Sequence, residues 1–529
     1  MWSSLPSYLT MSFAALETRV WSSAAGCLFL LWFSYSIVYT FWISPLRHFP
    51  GPRLWALSKI PLSLSVLRGY NHLDILALHA RYGPAIRISP DELAFNTTHS
   101  FHDIYGHRPG GCFQKDRCHY IPPVNGVDHL LCAVDDANYT RQKRLLAPAF
   151  SDKALKDQEG LIRGYVDTLI NKLRLRVKHG DSLVDIKTWM NFTTFDITGD
   201  LMFGESFDCL KDSQLHPWIQ MIFSSLKVMA FIGVFNQFPL IRGALDLLVP
   251  AEAKQKSQEH FDLTAQKVDR RLETNIGRPD FVSAILQNGL RDDMGQDCAK
   301  KTMTRAEIHS NGFILIIAGS ETSATLLSGC LFFLCTHAKA MNRLVSEIRT
   351  AFKKDSQITF GGQCGLTYLE AVIEESLRMY PPFVTNLARV APQHGALVNG
   401  QFVPAGTIVS CHHYASYRSE SNFAFPNQFM PERWLGTDSV FENDQKDVLQ
   451  PFSLGPRQCL GKTLAYFEIR LILCKLLFNF DITLSPVSIN WPDQKVYLVW
   501  EKPALMVKLT DRFPDIEPSP QEPLTMFSQ

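Results

Sequence analysis

One short stretch near the C-terminus, residues 452–461, limits most strongly what this chain can fold into. It reads FSLGPRQCLG and leads directly into a helical run. Cys459 precedes that helix, whose dipole and free N–H groups favour a thiolate, and Arg457 adds positive charge nearby. Gly455 and Gly461 allow the backbone to pass close beneath a large flat group. The stretch therefore predicts a thiolate ligand. A haem iron with an open opposite face fits it better than the alternative, a buried structural cysteine.

Length and composition favour one large, mostly helical catalytic domain. The chain has 529 residues, and no change of composition or long linker divides it after residue 53. A net charge of +1 gives no argument for nucleic-acid binding, and we expect none. The 12 cysteines are scattered without regular spacing, which indicates reduced thiols in a protein that faces the cytosol.

The N-terminal region contains a candidate membrane anchor. Residues 22–43 carry no charge and are long enough to cross a bilayer once as a helix. Arg47 and Arg53 follow, so the positive-inside tendency predicts a cytosolic catalytic part. A cleaved signal peptide and a buried core helix are the alternatives, and we favour the anchor. The predicted organisation is an N-terminal segment (1–21), the anchor (22–43), a proline-rich hinge (44–53), the catalytic domain (54–513) and a loose tail (514–529).

A second informative stretch, residues 304–337, predicts one long helix. Thr304 and Glu307 have the spacing of a capping box, and no proline interrupts the residues that follow. Its middle reads AGSETSA (318–324), where an acid and hydroxyls interrupt an apolar run. The small residues Ala318 and Gly319 leave room for a flat cofactor or O₂. The hydroxyls can bond to carbonyls one turn earlier and loosen the helix. A purely structural kink is the alternative.

Periodicity and turn residues place the other elements. Helices are expected at residues 71–82, 135–146, 153–178, 186–204, about 217–275 and 367–380. In the fifth of these, Gly233 and Pro239 are expected to break an apolar run that is either core or a lid over an apolar pocket. Thr367 and Glu370 suggest a second capping box. Strands are expected at 85–89, 93–96 and within 383–391, a hairpin at 402–410, and short strands within 491–509.

Four motifs, in order, resemble those of the cytochrome P-450 family. Residues 452–461 match its haem-binding loop, Phe-x-x-Gly-x-Arg-x-Cys-x-Gly, at every fixed position. AGSETSA resembles the family's oxygen-activating helix. Glu375-x-x-Arg378, and later Arg433 within FMPERW, resemble the remaining two motifs. The resemblance covers about residues 49–509. It implies a mainly α fold with small β-sheets, the cytochrome P-450 fold, preceded by an N-terminal transmembrane helix.

The resemblance also implies roles for individual residues. Cys459 would be the axial ligand of the iron of haem b, with Phe452, Gly455 and Gly461 around it. Thr322 would guide protons during oxygen activation, and Glu321 would connect that site to solvent. Haem propionates would be held by Arg389, Arg457, Tyr139 and Lys143, although relatives usually have Trp or His and then Arg at the last two positions. Glu375, Arg378 and Arg433 would form a buried structural triad, and Phe383, Val384 and Leu387 would contact substrate.

The function implied by the resemblance is that of a haem-thiolate monooxygenase. Such an enzyme inserts one oxygen atom of O₂ into a hydrophobic small molecule. Electrons would come from NADPH through a separate NADPH–cytochrome P-450 reductase that docks near Lys143, Arg144 and Lys462. The implied location is the endoplasmic reticulum membrane, crossed once, with the catalytic domain in the cytosol. The amino-acid sequence as a whole resembles those of fungal enzymes of secondary metabolism, which act on compounds such as terpenoids or polyketides. Two alternatives remain: a haem-thiolate isomerase or dehydratase that works without O₂, and a non-catalytic haem-binding protein.

Overall fold

The fold is described from a computed structural model of the chain. The residues that it describes are 7–108, 112–120, 123–238, 250–274, 278–286, 302–363, 365–384 and 387–515. The expected break at Pro239 and most of the expected tail, from residue 516, lie outside these ranges.

Helices make up most of the described chain. They are α1 (Ser7–Val38), α2 (Arg53–Leu57), α3 (Ile60–Arg68), α4 (Asn71–Tyr82), α5 (Thr98–Tyr105), α6 (Asp136–Leu146), α7 (Asp152–Lys178), α8 (Ile186–Phe203), α9 (Cys209–Asp212), α10 (Pro217–Asn236), α11 (Ala251–Glu273), α12 (Phe281–Leu286), α13 (Arg305–Thr336), α14 (Ala338–Ala351), α15 (Thr367–Met379), α16 (His413–Tyr417) and α17 (Lys462–Asn479).

Within the described ranges the strands are short and form three small sheets. They are β1 (Ala85–Ser89), β2 (Glu92–Phe95), β3 (Gln114–Lys115), β4 (Leu183–Asp185), β5 (Arg389–Val390), β6 (Ala396–Val398), β7 (Gln401–Val403), β8 (Ile408–Cys411), β9 (Phe480–Leu484) and β10 (Met506–Asp511). One sheet has the order β1-β2-β8-β5-β3, a second β4-β10-β9, and the third pairs β6 with β7. The mainly α class with small sheets is confirmed.

Helix α13 forms the centre of the helical body. Its capping box is confirmed: the Thr304 hydroxyl accepts the N–H of Glu307, whose carboxylate accepts the N–H of Thr304. The helix packs against α8 and α11, and most of its length is buried. At the contact with α8, a Cβ on Gly319 would lie 2.9 Å from Cγ2 of Thr198. Gly319 is therefore needed where these two helices approach closely.

Four local expectations were wrong. The residue before α15 is Leu366, and Thr367 makes no cap, so the second capping box does not form. Helix α10 continues through Gly233, since one glycine costs a helix only about 1 kcal/mol. Within residues 383–391, only Arg389–Val390 is a strand among the described positions. The hairpin expected at 402–410 does not form, because β7 pairs with β6 and β8 pairs with β2 and β5. Asn399-Gly400, with positive φ at both residues, makes the actual turn.

The N-terminal helix extends beyond the body, whereas the segment after it packs onto the body. Val20–Ile43 is long and apolar enough to cross a membrane and is almost entirely exposed. Two body helices, α10 and α13, meet the same length and composition criteria. In the hinge, Leu46 and Phe49 are buried, and the Pro50 carbonyl accepts the N–H of Arg87 at 2.7 Å. The Arg87 guanidinium also donates to the Thr40 carbonyl at 3.2 Å. The hinge is therefore part of the folded body.

Candidate active site

A large cavity lies between the middle of α13 and the loop at residues 452–461. Its volume is about 1440 Å³, and most of its lining is apolar. Ala318, Gly319 and Thr322 line it from α13, while Cys459 lines it from the loop. The two stretches singled out in the sequence thus face one space. The expected substrate contacts Phe383, Val384 and Leu387 also line it, and residues 385–386 between them lie outside the described ranges.

The loop that carries Cys459 is held in a tight conformation. The N–H of Cys459 donates to the carbonyl of Phe452 at 2.8 Å. Gly455 has φ +67°, and a Cβ there would lie 2.2 Å from the carbonyl oxygen of Tyr105. Only glycine fits such a position. The ring of Phe452 packs against that of Tyr466, with centroids 5.3 Å apart.

The surroundings of Cys459 include some groups that raise the pKa of its thiol and others that lower it. Burial raises the pKa of the thiol, whereas a hydrogen bond from the Gly461 N–H and the charges of Lys143 and Lys462 lower it. The net shift is upward in the protein alone. Coordination to a metal ion would reverse this balance, because a metal stabilises the thiolate directly.

Helix α6 holds the loop through its polar side chains. The Tyr139 hydroxyl and the Lys143 ammonium both donate to the carbonyl of Pro456, at 3.2 and 2.6 Å. Arg457 is turned the opposite way, toward the start of α6. It pairs with Asp136 at 2.6 Å and donates to the carbonyls of Ala133 and Val134. The sequence predicted propionate contacts for Tyr139, Lys143 and Arg457. In the structure all three side chains connect the cysteine loop with α6 or with residues 133–134 just before it.

A cluster of cations lies beside the cavity, and the sequence identified only part of it. Lys115 lies close enough to Arg389 and Arg457 for their charges to add to burial in lowering its pKa. Its ammonium lies 4.8 Å from the centre of the Tyr120 ring. Within the described ranges, the Tyr120 hydroxyl and the Nε atom of Arg389 are buried without a hydrogen-bond partner. Lys115 and Tyr120 were missed because no motif marks them: Lys115 ends the two-residue strand β3, and Tyr120 lies five residues later.

These features together fit a haem. Lys115, Arg389 and the unpartnered Tyr120 hydroxyl are suited to carboxylates, because buried like charges require an anion to offset them, whereas Arg457 already has Asp136. The cavity is large enough for a flat cofactor, and Cys459 offers a thiolate at its wall. The donor set therefore agrees with a dianionic porphyrin that has one sulfur ligand.

On the α13 side of the cavity, an alcohol and an acid are adjacent. The Thr322 hydroxyl donates to the Ala318 carbonyl one turn earlier, at 2.7 Å, which confirms the expected back-bonding. Glu321 is only 2% exposed and forms an ion pair with Lys502. Ser323 donates to the buried Glu468 of α17 at 3.1 Å. Neither Lys502 nor Glu468 was predicted, since each is distant in sequence from its partner.

The three residues of the predicted triad lie together and are fully buried. Arg378 donates to the Glu375 carboxylate through Nε and Nη2, at 2.9 and 2.7 Å, and Arg433 donates through Nε at 3.2 Å. All three side chains have no exposed surface. Burial opposes ionisation of Glu375, but the two guanidinium groups bring its pKa below the ordinary value. Asp444 also pairs with Arg433, a partner that the sequence did not indicate.

Comparison with known proteins agrees with this geometry. The sequence model of the family described as Cytochrome P450 matches residues 50–509. The chain is 44% identical to the cytochrome P450 monooxygenase astJ of Aspergillus oryzae, over 91% of this chain and 95% of the relative. It is 41% identical to a trichothecene C-15 hydroxylase of Fusarium sporotrichioides, over 90% of this chain and 95% of the relative. The monooxygenase efuB of Hormonema carpetanum is also 41% identical, over 92% of this chain and 96% of the relative. The chain belongs to the cytochrome P450 family and is a monooxygenase.

Proposed function

We propose that this enzyme inserts one oxygen atom of O₂ into a hydrophobic secondary metabolite, with haem b as its cofactor. The observation that carries the proposal is the cavity between Cys459 and the adjacent Glu321 and Thr322. When bound, the haem supplies the activation of O₂ and the oxidation of substrate. Cys459 would bind its iron, while Lys115, Arg389 and Arg457 would face its carboxylates.

The protein's own task at the opposite face is to deliver protons and exclude bulk water. Thr322 faces the cavity one position from Glu321, so a proton can pass from the acid toward the space above the haem. The apolar walls would keep water away from the reacting carbon. This acid and alcohol favour a monooxygenase over the isomerase or dehydratase alternative, which needs no proton delivery to oxygen.

Two observations support a hydrophobic substrate. The lining of the cavity is largely apolar, with Leu226, Met229 and Ile232 of α10 and Val499 near β10 contributing to it. One relative is named as a hydroxylase of a trichothecene at carbon 15. We propose a terpenoid or polyketide as the substrate class for this chain.

The partner and location belong to the same proposal. Electrons would come from NADPH through a separate NADPH–cytochrome P-450 reductase, which docks on the basic face around Lys143, Arg144 and Lys462. The helix Val20–Ile43 would cross the endoplasmic reticulum membrane once and leave the catalytic body in the cytosol. Supplying candidate terpenoid and polyketide intermediates to microsomes, with and without added reductase, tests both. We expect an oxygenated product by mass spectrometry that requires the reductase and NADPH.

A difference spectrum of the reduced protein with carbon monoxide tests the ligand assignment. The wild type should show the band of a thiolate-ligated haem. Cys459→Ala should lose it, because it removes the sulfur that the 452–461 loop presents to the cavity. Cys112→Ser, which changes a partly buried cysteine outside the loop, is the matched control and should keep the band. A thiolate-type band in the Cys459→Ala protein would contradict the assignment.

A further inference from the structure

The acid of the proposed proton path has a buried basic partner. The Lys502 ammonium pairs with Oε1 of Glu321 and donates to the Thr325 hydroxyl at 2.5 Å. Thr325 in turn donates to the same carboxylate oxygen at 3.3 Å. The side chains of Lys502 and Glu321 are 4% and 2% exposed. Among the residues that the structure describes, Oε2 of Glu321 has no partner. One oxygen is thus fixed and the other is left for a proton.

The surroundings of this pair contain few other charges. Lys187, near the start of α8, is close enough to lower the pKa of Lys502, which burial already lowers and which Glu321 raises. Burial, and after it the charge of Glu321, raise the pKa of Tyr380, which follows α15. The Tyr380 hydroxyl donates to Gln494 at 2.7 Å. Lys502 is therefore the cation in direct contact with Glu321, and Lys187 acts only from a distance.

Lys502 follows a segment that itself lines the cavity. Tyr497, Leu498 and Val499 form part of the cavity wall. The Trp500 indole donates to the Pro381 carbonyl at 2.8 Å, and its ring stacks on Tyr380 with centroids 4.5 Å apart. These contacts fix the backbone immediately before Lys502.

The same segment contacts helix α10 on its other side. Glu501 pairs with Lys227 of α10 at 3.1 Å, and the ring of Tyr497 lies 5.7 Å from that of Phe231. The Glu501 pair is exposed and therefore weak. Adjacent residues 501 and 502 thus connect a cavity-lining helix with the acid.

We propose that Lys502 is a positioning residue for proton delivery: its ammonium offsets the loss of hydration of the buried Glu321 carboxylate and holds that carboxylate beside Thr322. This rests on the proposed function of Glu321 and Thr322. A carboxylate in an apolar site is charged only if a partner offsets the loss of hydration. Without Lys502 the buried carboxylate would lose the cation in direct contact with it, and with that cation the arrangement in which it accepts a proton from solvent. The segment 497–502 would then let the contents of the cavity influence the state of the acid.

Infrared spectroscopy of the full-length holoprotein tests the state of Glu321 directly. In Lys502→Met, a protonated carboxyl band should appear at neutral pH in addition to that of the buried Glu468, and it should vanish in Lys502→Met/Glu321→Gln. Losing the adjacent cation disfavours the charged carboxylate, so the band should persist to higher pH in Lys502→Met than in Lys502→Arg. Lys502→Arg should restore the wild-type spectrum. Lys508→Met, on the exposed face of β10, is the matched control and should change nothing.

Turnover provides a second readout with NADPH and reductase. In Lys502→Met, the amount of hydrogen peroxide formed per NADPH oxidised should rise severalfold. The pH profile of turnover should shift in the same direction as the infrared band. If Lys502→Met folds poorly, Thr325→Val removes the hydroxyl that both groups share and should give a smaller shift of the same sign. Wild-type spectra and pH profiles in both variants would overturn the proposal. Failure of the proposed function would be seen separately, as a wild type without the thiolate-type carbon monoxide band.

Discussion

At the scale of single residues, the fully buried Glu375 is the most consequential charge outside the cavity. It accepts hydrogen bonds from Arg378, Arg433, the Trp434 indole and the Met430 N–H. A carboxylate with so many donors can be buried because each donor replaces a water molecule. Removing the negative charge leaves Arg378 without its anion and leaves Arg433 with Asp444 alone.

We therefore expect Glu375→Gln to destabilise the fold strongly. Breaking a buried ion pair on one side costs about 3 to 5 kcal/mol, because an uncompensated charge remains inside. Urea denaturation of the holoprotein measures this loss. Glu442→Gln, at an exposed position, is the matched control and should lie within about 0.5 kcal/mol of wild type. Equal stability of the two variants would show that the triad contributes little.

Glu468 predicts a specific pH dependence of stability. Burial raises its pKa from the ordinary 4.5 to about 8, although the hydrogen bond from Ser323 opposes this. The folded state then binds a proton that the unfolded state has lost. The stability from this group is complete below pH 4.5 and is lost as the pH rises through about 8.

Glu468→Gln should remove that loss, since an amide does not titrate. Free energies of unfolding at pH 5, 7 and 9 are the measurement, and the difference between wild type and variant isolates this group from other titrations. We expect the free energy of unfolding of the variant to increase relative to that of the wild type as the pH rises. A constant difference across this range would contradict a raised pKa.

At the scale of elements, the contact between α8 and α13 is set by one glycine. The sequence led us to assign Gly319 to space for a cofactor or O₂, and it does line the cavity. Its missing Cβ, however, points at Thr198 of α8. A methyl group at Gly319 would lie 2.9 Å from Cγ2 of Thr198. Two buried helices packed this closely leave no room for it.

Gly319→Ala should therefore destabilise the protein by about 1 to 3 kcal/mol through overpacking. Thr198→Gly in the same chain should recover part of that loss, because it removes the side chain that the new methyl meets. Thermal unfolding of the two single variants and the double variant forms a double-mutant cycle. Strictly additive effects would mean that the two positions do not meet.

The elements also show how far sequence reasoning reached. Long helices were predicted well, because apolar spacing and caps such as Thr304 are local signals. Cys459, Glu321 and Thr322 could be proposed as site residues because each lies in a compact motif. Lys115, Lys502 and Asp444 were missed, since only the folded chain brings them to their partners. The strands expected at 85–89 and 93–96 are confirmed as β1 and β2, whereas the strand expected over 383–391 and the hairpin at 402–410 were wrong. A two-residue strand such as β5 depends on its neighbours in the sheet and has no periodicity of its own.

At the scale of the whole molecule, the boundary between anchor and body lies before the hinge. Leu46 and Phe49 belong to the buried core, and the Pro50 carbonyl bonds to β1. The sequence placed the start of the catalytic domain at residue 54. From this packing we propose that the cooperatively folding unit starts at about residue 44.

Two truncations test this boundary. Removal of residues 1–43 should leave a stable holoprotein that no longer needs detergent for extraction, because Val20–Ile43 is almost entirely exposed. Removal of residues 1–53 should cost several kcal/mol more, since it deletes two buried apolar side chains. Circular dichroism melts and carbonate extraction are the measurements. Equal melting temperatures would place the boundary at residue 54 after all.

The contacts of Arg87 with Pro50 and Thr40 have a consequence for encounters with other proteins. A body joined by a free linker can tumble in every direction. A body hydrogen-bonded to the base of its own anchor keeps one main rotation, about the membrane normal. Under the proposed topology, the body then meets a second membrane-anchored protein by diffusing in the plane of the membrane and rotating about the membrane normal. Orientation would thus be settled when the chain folds, before any partner arrives.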